Sequence, residues 1–394
     1  MWSDISIWVG VKAAAQKILA SDFNLLNDNA KKVYDNTVYL KDQVVLLSEL
    51  GGFAFAGFLA RIAKSSSNVV VPAFNILLTN MTVILESDAT LTTSDLDTGS
   101  AFTFGADHYI WAGEPSSGAV PVLKISLSAT SPAGMTNPKI IGGFHFGKIR
   151  NSFTDSDVSN GILANSCWDL THMPSCYLLG LSDPTTYQLG GMVETVPGKT
   201  WVDIYLASDG GGTLPYKRVY SKINVLPITG IEGLNWYDFA TRGRNVGKRM
   251  LTYAEWTAAA LGSPQGIDAS NLNGWTTTSN TGRVKIGATA SGDSDVNYIL
   301  GYNTSLLGLR DCTGNVWEWL VSTGASGTGW VNDIDTGEMA SLSNYGQRYG
   351  TVIQLLAGGS WAYGACAGAR AVGAYNGPWD VRADIGCRFA CDSL

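Results

Sequence analysis

Charge, histidine and long apolar runs are all scarce in this 394-residue chain, and each scarcity removes a class of function. Charged residues make up only 15%, against roughly 25% in an average globular protein, and no run of Lys or Arg occurs. With a net charge of -7, the phosphate-neutralising surface that nucleic-acid binding requires is missing. Histidine is limited to His108, His145 and His172, too few for the histidine-containing sets that zinc and facial iron sites use. The opening MWSDISIWVG has no basic or apolar leader region, so the chain is expected to carry no signal peptide and to be made in the cytoplasm. Its most apolar early window, Val44 to Ala63, is interrupted by Glu49 and Arg61, which leave an uncharged stretch too short for a bilayer span. Six cysteines (Cys167, Cys176, Cys312, Cys366, Cys387 and Cys391) include no CxxC pair and are read as reduced and buried. On a regular terminal strand, Cys387 and Cys391 would stand roughly 13 Å apart, too far to bridge.

What the chain has in abundance is Gly (46), Tyr (16) and Trp (13), with 45% hydrophobic residues. That composition describes a folded, loop-rich, aromatic-stapled body of about two or three domains. Residues 1–64 are read as a helical segment. From Ser21, apolar residues at Phe23, Leu26, Ala30, Val33, Leu40, Val44 and Leu47 follow heptad spacing, broken only at Thr37. The pattern predicts a helix over Asp22 to Leu47, ended by Gly51-Gly52, whose narrow seam favours a coiled coil joining copies of the chain over a helix lying on its own domain. Residues 65–136 carry β-branched runs such as VVVPAFNILL and VPVLKISLSAT and predict a small β domain. Ala101 to Trp111 reads there as a strand pair with His108 half-buried. Residues 137–394 form the third unit, with strands at Ile140 to Phe146 and Trp201 to Leu206. In it, Thr252 and Glu255 make a capping box for a helix over Thr252 to Leu261 that Gly262 ends, with Trp256 and Ala260 on one face.

The last segment, Gly358 to Leu394, is a frame of Gly, Trp and Arg filled with small, interchangeable residues. Gly358, Gly359, Trp361, Gly364, Gly368, Arg370, Gly386 and Arg388 are types that a backbone or core needs. The fillers between them have no such obligation, and a surface built this way suits recognition better than catalysis.

Four motifs in order add a resemblance over roughly Trp236 to Leu394. GKRMLTYAEWTAAAL (Gly247 to Leu261), GLRDCTGNVWEWL (Gly308 to Leu320), AGGSW (Ala357 to Trp361) and DIGCR (Asp384 to Arg388) resemble the formylglycine-generating, or sulfatase-modifying factor, family. The resemblance implies an α+β, C-type-lectin-like domain in which Gly314-Asn315 is a turn and Trp317, Trp319, Gly359, Trp361, Arg370, Gly386 and Arg388 are scaffold. Enzymes of that family use copper held by two cysteines five residues apart after the GGSW-like motif. Here those positions are Tyr363 and Gly368, with Cys366 displaced and unpaired, so neither the soft metal site nor the nucleophile can be assembled and no catalytic residue is expected.

A second branch of the same fold matches the tail more fully. GGSWAYGACAGARAVGAYNGP and IGCRFACD resemble the variable region of diversity-generating retroelement proteins, including phage receptor-binding proteins that determine host tropism. By that resemblance the variable, ligand-binding positions are Ala362, Tyr363, Ala365, Cys366, Val372, Gly373, Tyr375, Asn376, Trp379, Asp380, Val381 and Asp384. Tyr363, Tyr375 and Trp379 would supply rigid aromatic area, and Asn376, Asp380 and Asp384 adaptable polar contacts. GGFHFGKIRNSFTDSDVSNGILANSCWD (Gly142 to Asp169) is similar to the entry of the lectin-like domain in phage-borne members, and SDFNLLNDNAKKVY to tail-attachment segments. The partners implied are a host cell-surface receptor, protein or glycan, and phage tail or baseplate proteins. The implied setting is a virion, with a homotrimer the preferred assembly. The other readings are a diversified bacterial surface or signalling binder and a cysteine-oxidising enzyme.

The remaining motifs are weak. RGRNVGKR (Arg242 to Arg249) is one residue short of a phosphate loop and lacks the Ser or Thr after Lys248. DSDVSNG (Asp155 to Gly161) and NDIDTGE (Asn332 to Glu338) could wrap a structural calcium ion, the one cofactor considered, though neither has EF-hand spacing. No GxSxG elbow occurs.

Overall fold

The computed structural model describes residues 60–152, 157–182, 190–264, 282–287, 303–331 and 348–394. The expected heptad helix from Asp22 to Leu47, residues Asp155 and Ser156, and the segment Asn332 to Glu338 lie outside the described residues.

The β-branched runs after residue 60 form short antiparallel strands. β1 (Ala63–Ser65), β2 (Asn68–Val71) and β5 (Ala89–Leu91) make one sheet in the order β1-β2-β5, and β3 (Phe74–Leu77) pairs with β4 (Thr82–Leu85). A larger sheet runs β10-β8-β6-β7, built from β6 (Ala106–Glu114), β7 (Val122–Ser126), β8 (Thr136–Arg150) and β10 (Trp168–Asp169), with β9 (Val158–Ile162) also on β8. Local pattern located Ile140 to Phe146 but not the full strand. β8 pairs with β6 from Phe146 opposite Ala106 to Thr136 opposite Glu114, so it starts beside the expected division between residues 136 and 137.

Ala101 to Trp111 is not a strand pair, because only its second half enters a strand, β6. His108 is also fully buried rather than half-buried. Its ring stacks on Phe144 at 5.0 Å and meets Phe102 edge-on. Nε2 lies 3.0 Å from the Ala101 carbonyl, and burial pushes the imidazole pKa down.

After the short helix α1 (Tyr177–Ser182), the chain builds β11 (Met192–Val196), β12 (Thr200–Asp203), β13 (Ala207–Asp209) and β14 (Val219–Ser221). Next come α2 (Trp236–Arg244), β15 (Arg249–Met250), α3 (Tyr253–Ala260), and then β16 (Trp317–Val331), β17 (Arg348–Gly358), β18 (Gly368–Gly373), β19 (Ile385–Cys387) and β20 (Phe389–Asp392). Two four-stranded sheets result, β11-β12-β20-β15 and β18-β17-β16-β19, and β13 pairs with β14. Strands dominate the described residues, and the helices are few and short.

α3 follows from its local sequence. Thr252 Oγ1 accepts from Glu255 N at 3.2 Å and Glu255 Oε2 accepts from Thr252 N at 2.8 Å, while Trp256 and Ala260 are buried. Between the two sheets lies a core of Val202, Leu206, Trp256, Leu309, Val316, Leu320 and Ala390, against which Trp361 packs. A second core gathers Phe239, Trp317, Trp319, Leu356, Cys387 and Phe389.

Candidate functional site

The tail is a chain of returns laid over β16 and β17. β17 ends in Gly358 and Gly359, whose φ angles of 92° and 86° lie where side chains are strained. A Cβ on Gly359 would also sit 2.6 Å from that of Ala367. Trp361 N then donates to the Asn315 carbonyl at 3.1 Å, a single 3-10 turn spans Gly364–Cys366, and β18 returns antiparallel on β17. Residues 374–384 form an open loop, and β19 re-enters parallel to β16.

Backbone hydrogen bonds from outside fix this loop, including those from Gln354 N to the Asn376 carbonyl at 3.0 Å and from Trp317 N to the Asp384 carbonyl at 2.8 Å. Gly230 N donates to the Arg382 carbonyl at 2.9 Å, in a contact so close that a Cβ on Gly230 would overlap the Arg382 backbone, and Trp236 N donates to the Pro378 carbonyl at 3.0 Å.

The turn and β19 rest on buried polar groups. Asn315, with φ 60°, uses its side-chain amide to donate to the Val284 carbonyl at 3.2 Å and accept from Val284 N at 3.1 Å. Arg388 follows β19 into the interior, where all five of its N–H groups find acceptors: both Glu318 carboxylate oxygens and the carbonyls of Asp203, Ile204 and Arg310. Burial alone would lower the Arg388 pKa, but Glu318 outweighs it and keeps the guanidinium charged.

Between β18, the 3-10 turn and the loop lies an open cleft of about 570 Å³. Its floor is Trp317 and Leu356, both buried. Tyr363 meets Trp317 edge-on at 5.0 Å. Of the expected contact positions, Tyr363, Cys366, Val372, Gly373, Tyr375, Asn376 and Asp384 line the cleft, Tyr375 with 83% of its surface exposed. Ala362 and Val381 are exposed, and Ala365, Trp379 and Asp380 half-buried, outside the cleft lining.

Two expectations need correction. Asn376 is not an adaptable surface contact. It is only 7% exposed, its amide donates to Asp380 Oδ2 at 2.9 Å, and that same oxygen accepts from Gly377 N at 3.1 Å, so both side chains are committed to holding the loop. Arg370, grouped with the scaffold, is exposed on β18, because alternate residues of that strand point away from the core.

Three cleft residues escaped the sequence reading. Leu356 and Ala371 look like ordinary strand residues, and only the pairing of β17 with β18 brings them to the cleft. Arg382 sits beside the expected Asp384 and closes one end, its Nε 3.0 Å from Asp384 Oδ1 and its second contact 3.4 Å from Oδ2. Hydrogen bonding to Asp384 raises the Arg382 pKa.

The family's copper chemistry does not fit these residues. Tyr363 and Gly368 occupy the two ligand positions, Cys366 is exposed on the turn, and the other five cysteines are buried. Among the described residues no group of three or more His, Cys, Asp or Glu could hold a metal ion, and no helix is long and apolar enough to cross a membrane.

Comparison with known proteins gives consistent results. Residues 191–393 match the family of the sulfatase-modifying factor enzyme 1-like domain, and residues 60–169 match the Mtd second domain. The chain is 26% identical over 311 residues to the tail fiber receptor-binding protein of Bordetella phage BPP-1, covering 75% of this chain and 73% of that protein. A shorter stretch of 97 residues is 32% identical to serine/threonine-protein kinase Pkn1 of Chlamydia trachomatis, spanning 23% of this chain and 13% of the kinase. Among solved structures, the U1 and M1 variants of Major Tropism Determinant superpose with TM-scores of 0.62 and 0.61. They are 21% and 22% identical, and each covers 87% of this chain and 86% of its own. These likenesses establish a C-type-lectin fold, mostly β.

Proposed function

The chain belongs to the sulfatase-modifying factor enzyme 1-like domain family, and from that premise we propose that it is a receptor-binding protein of a phage tail rather than an enzyme. The observation that carries the reading is the cleft, which has an apolar floor of Trp317 and Leu356 and walls supplied by the loop-rich tail, mounted on a frame that Arg388 and Asn315 hold from beneath. The likeness to a tail fiber receptor-binding protein over three quarters of the chain supports it, as does the replacement of both copper-ligand positions by Tyr363 and Gly368.

On this reading a host cell-surface ligand is bound by Tyr363, Val372 and Tyr375, with Ala362, Cys366 and Val381 extending the surface. A diversity-generating retroelement varies these positions, and the frame tolerates the changes because exposed substitutions usually cost within about 0.5 kcal/mol. The N-terminal segment joins the protein to tail or baseplate components, and a homotrimeric particle component multiplies weak single-site binding by avidity.

The test is adsorption. Purified chain is added to susceptible bacteria and its binding and competition with phage are measured beside those of Tyr375→Ala and Val372→Asp. Loss of an aromatic anchor of about 2 kcal/mol corresponds to roughly thirty-fold weaker binding. Both variants are expected to lose binding without losing fold, whereas undiminished binding by both would move the receptor surface elsewhere.

A further inference from the structure

Away from the cleft, three sulfur atoms meet in the interior. Cys176 Sγ lies 3.5 Å from Cys391 Sγ and 3.5 Å from Met192 Sδ, and Cys391 Sγ lies 3.8 Å from the same Met192 Sδ. All three side chains are buried, in a pocket walled by Trp168, Tyr177 and Trp201.

Backbone pairing sets this triangle. Met192 opens β11 opposite Asp203, and Cys391 lies on β20 opposite Trp201, so β12 stands between them. Cys176 arrives on a segment pinned to the chain end. Pro174 bridges antiparallel to Ser393, Ser175 N donates to the Asp392 carbonyl at 2.9 Å, and Leu394 N donates to the Met173 carbonyl at 3.0 Å. That register puts Cys176 opposite Cys391. The sequence reading had placed Cys387 and Cys391 on one strand. Instead the chain breaks at Arg388 between β19 and β20, and Cys391 finds its partner far away in sequence.

A point equidistant from the three sulfurs lies about 2.1 Å from each, given their separations and close to a metal–thiolate bond of about 2.3 Å. Two thiols and a thioether are soft donors, which select cuprous ion over hard cations. Zinc and iron–sulfur centres would require a fourth ligand.

We infer that Cys176, Cys391 and Met192 form a trigonal site for one cuprous ion, fastening the chain end to β11 and to the segment before α1. The site is separate from the receptor cleft and does not depend on its function. Binding takes both cysteines as thiolates, releases their remaining protons to solvent, and therefore weakens as pH falls.

The experiment is anaerobic titration of the full, reduced chain with cuprous ion against a competing chelator, with X-ray absorption reading the ligands. One ion per chain with sulfur scatterers only is expected. Cys391→Ser is expected to abolish uptake, Met192→Leu to weaken it at least tenfold while keeping the fold, and Cys366→Ser to leave it unchanged. Reduced chain that takes up no ion, whether its thiols stay free or close into a disulfide, overturns the assignment, as does uptake that survives Cys391→Ser.

Discussion

Arg388 shows how one residue can be readable in type and unreadable in consequence. Its place in the terminal motif marked it as scaffold, but its partner Glu318 lies 70 positions away and only the fold joins them. Removing one member of a buried ion pair strands the other, at about 3–5 kcal/mol. Arg388→Met is therefore expected to lose that much in urea unfolding, and Arg388→Met with Glu318→Leu to recover part of it, a coupling that a double-mutant cycle isolates. Arg370 is the counterexample, since the same residue type in the same frame is exposed. Residue identity shows what a side chain can do, but the direction it points is set by strand register. Asn376 and Tyr375 make the same point as neighbours. Tyr375→Ala is expected to change stability by no more than about 0.5 kcal/mol. Asn376→Ala is expected to cost about 1 kcal/mol, because its amide bonds Asp380 within the loop, and thermal unfolding of the two variants separates them.

Elements whose determinants are local were legible, and those that depend on distant partners were not. α3 is the clearest local case: cap, buried face and the glycine after it lie within a dozen residues. Thr252→Ala is expected to cost about 1 kcal/mol. The cap also carries a pH dependence. Burial alone would raise the Glu255 pKa, but Arg249 and the Thr252 backbone outweigh it and hold the carboxyl below its usual range. A carboxylate with a depressed folded-state pKa stabilises above the unfolded value of about 4.3, and that contribution disappears as pH falls through the folded-state value. Glu255→Gln should flatten the acid side of the stability profile below about pH 4.3 and leave the neutral side parallel to that of the native chain. β8 is the opposite case. Its glycine-rich sequence revealed seven residues of a fifteen-residue strand, because the rest is defined by β6, a partner some thirty positions earlier.

At the scale of the whole molecule, the two sheets divide the tail into a part built into the fold and a part that lies over it. β20 lies between β12 and β15 inside one sheet, and β19 lies on β16 in the other, so Ile385 to Cys391 belong to the core. Freedom is confined to the turn, the outward side of β18 and the loop before β19, the stretch whose composition first set it apart. The frame was legible because glycine, tryptophan and arginine in fixed order reflect backbone and core needs. The cleft was not, because its floor of Trp317 and Leu356 comes from β16 and β17, which only the fold brings beside the loop that carries the Arg382–Asp384 pair. Deep sequencing of codons 358–394 in a propagated population distinguishes a fixed frame carrying a replaceable receptor surface from an ordinary chain end. Substitutions are expected to cluster at exposed positions such as Ala362, Tyr363, Val372, Tyr375 and Val381, with Gly359, Trp361, Gly386 and Arg388 unchanged. Sparse substitutions spread evenly across frame and surface would contradict that arrangement.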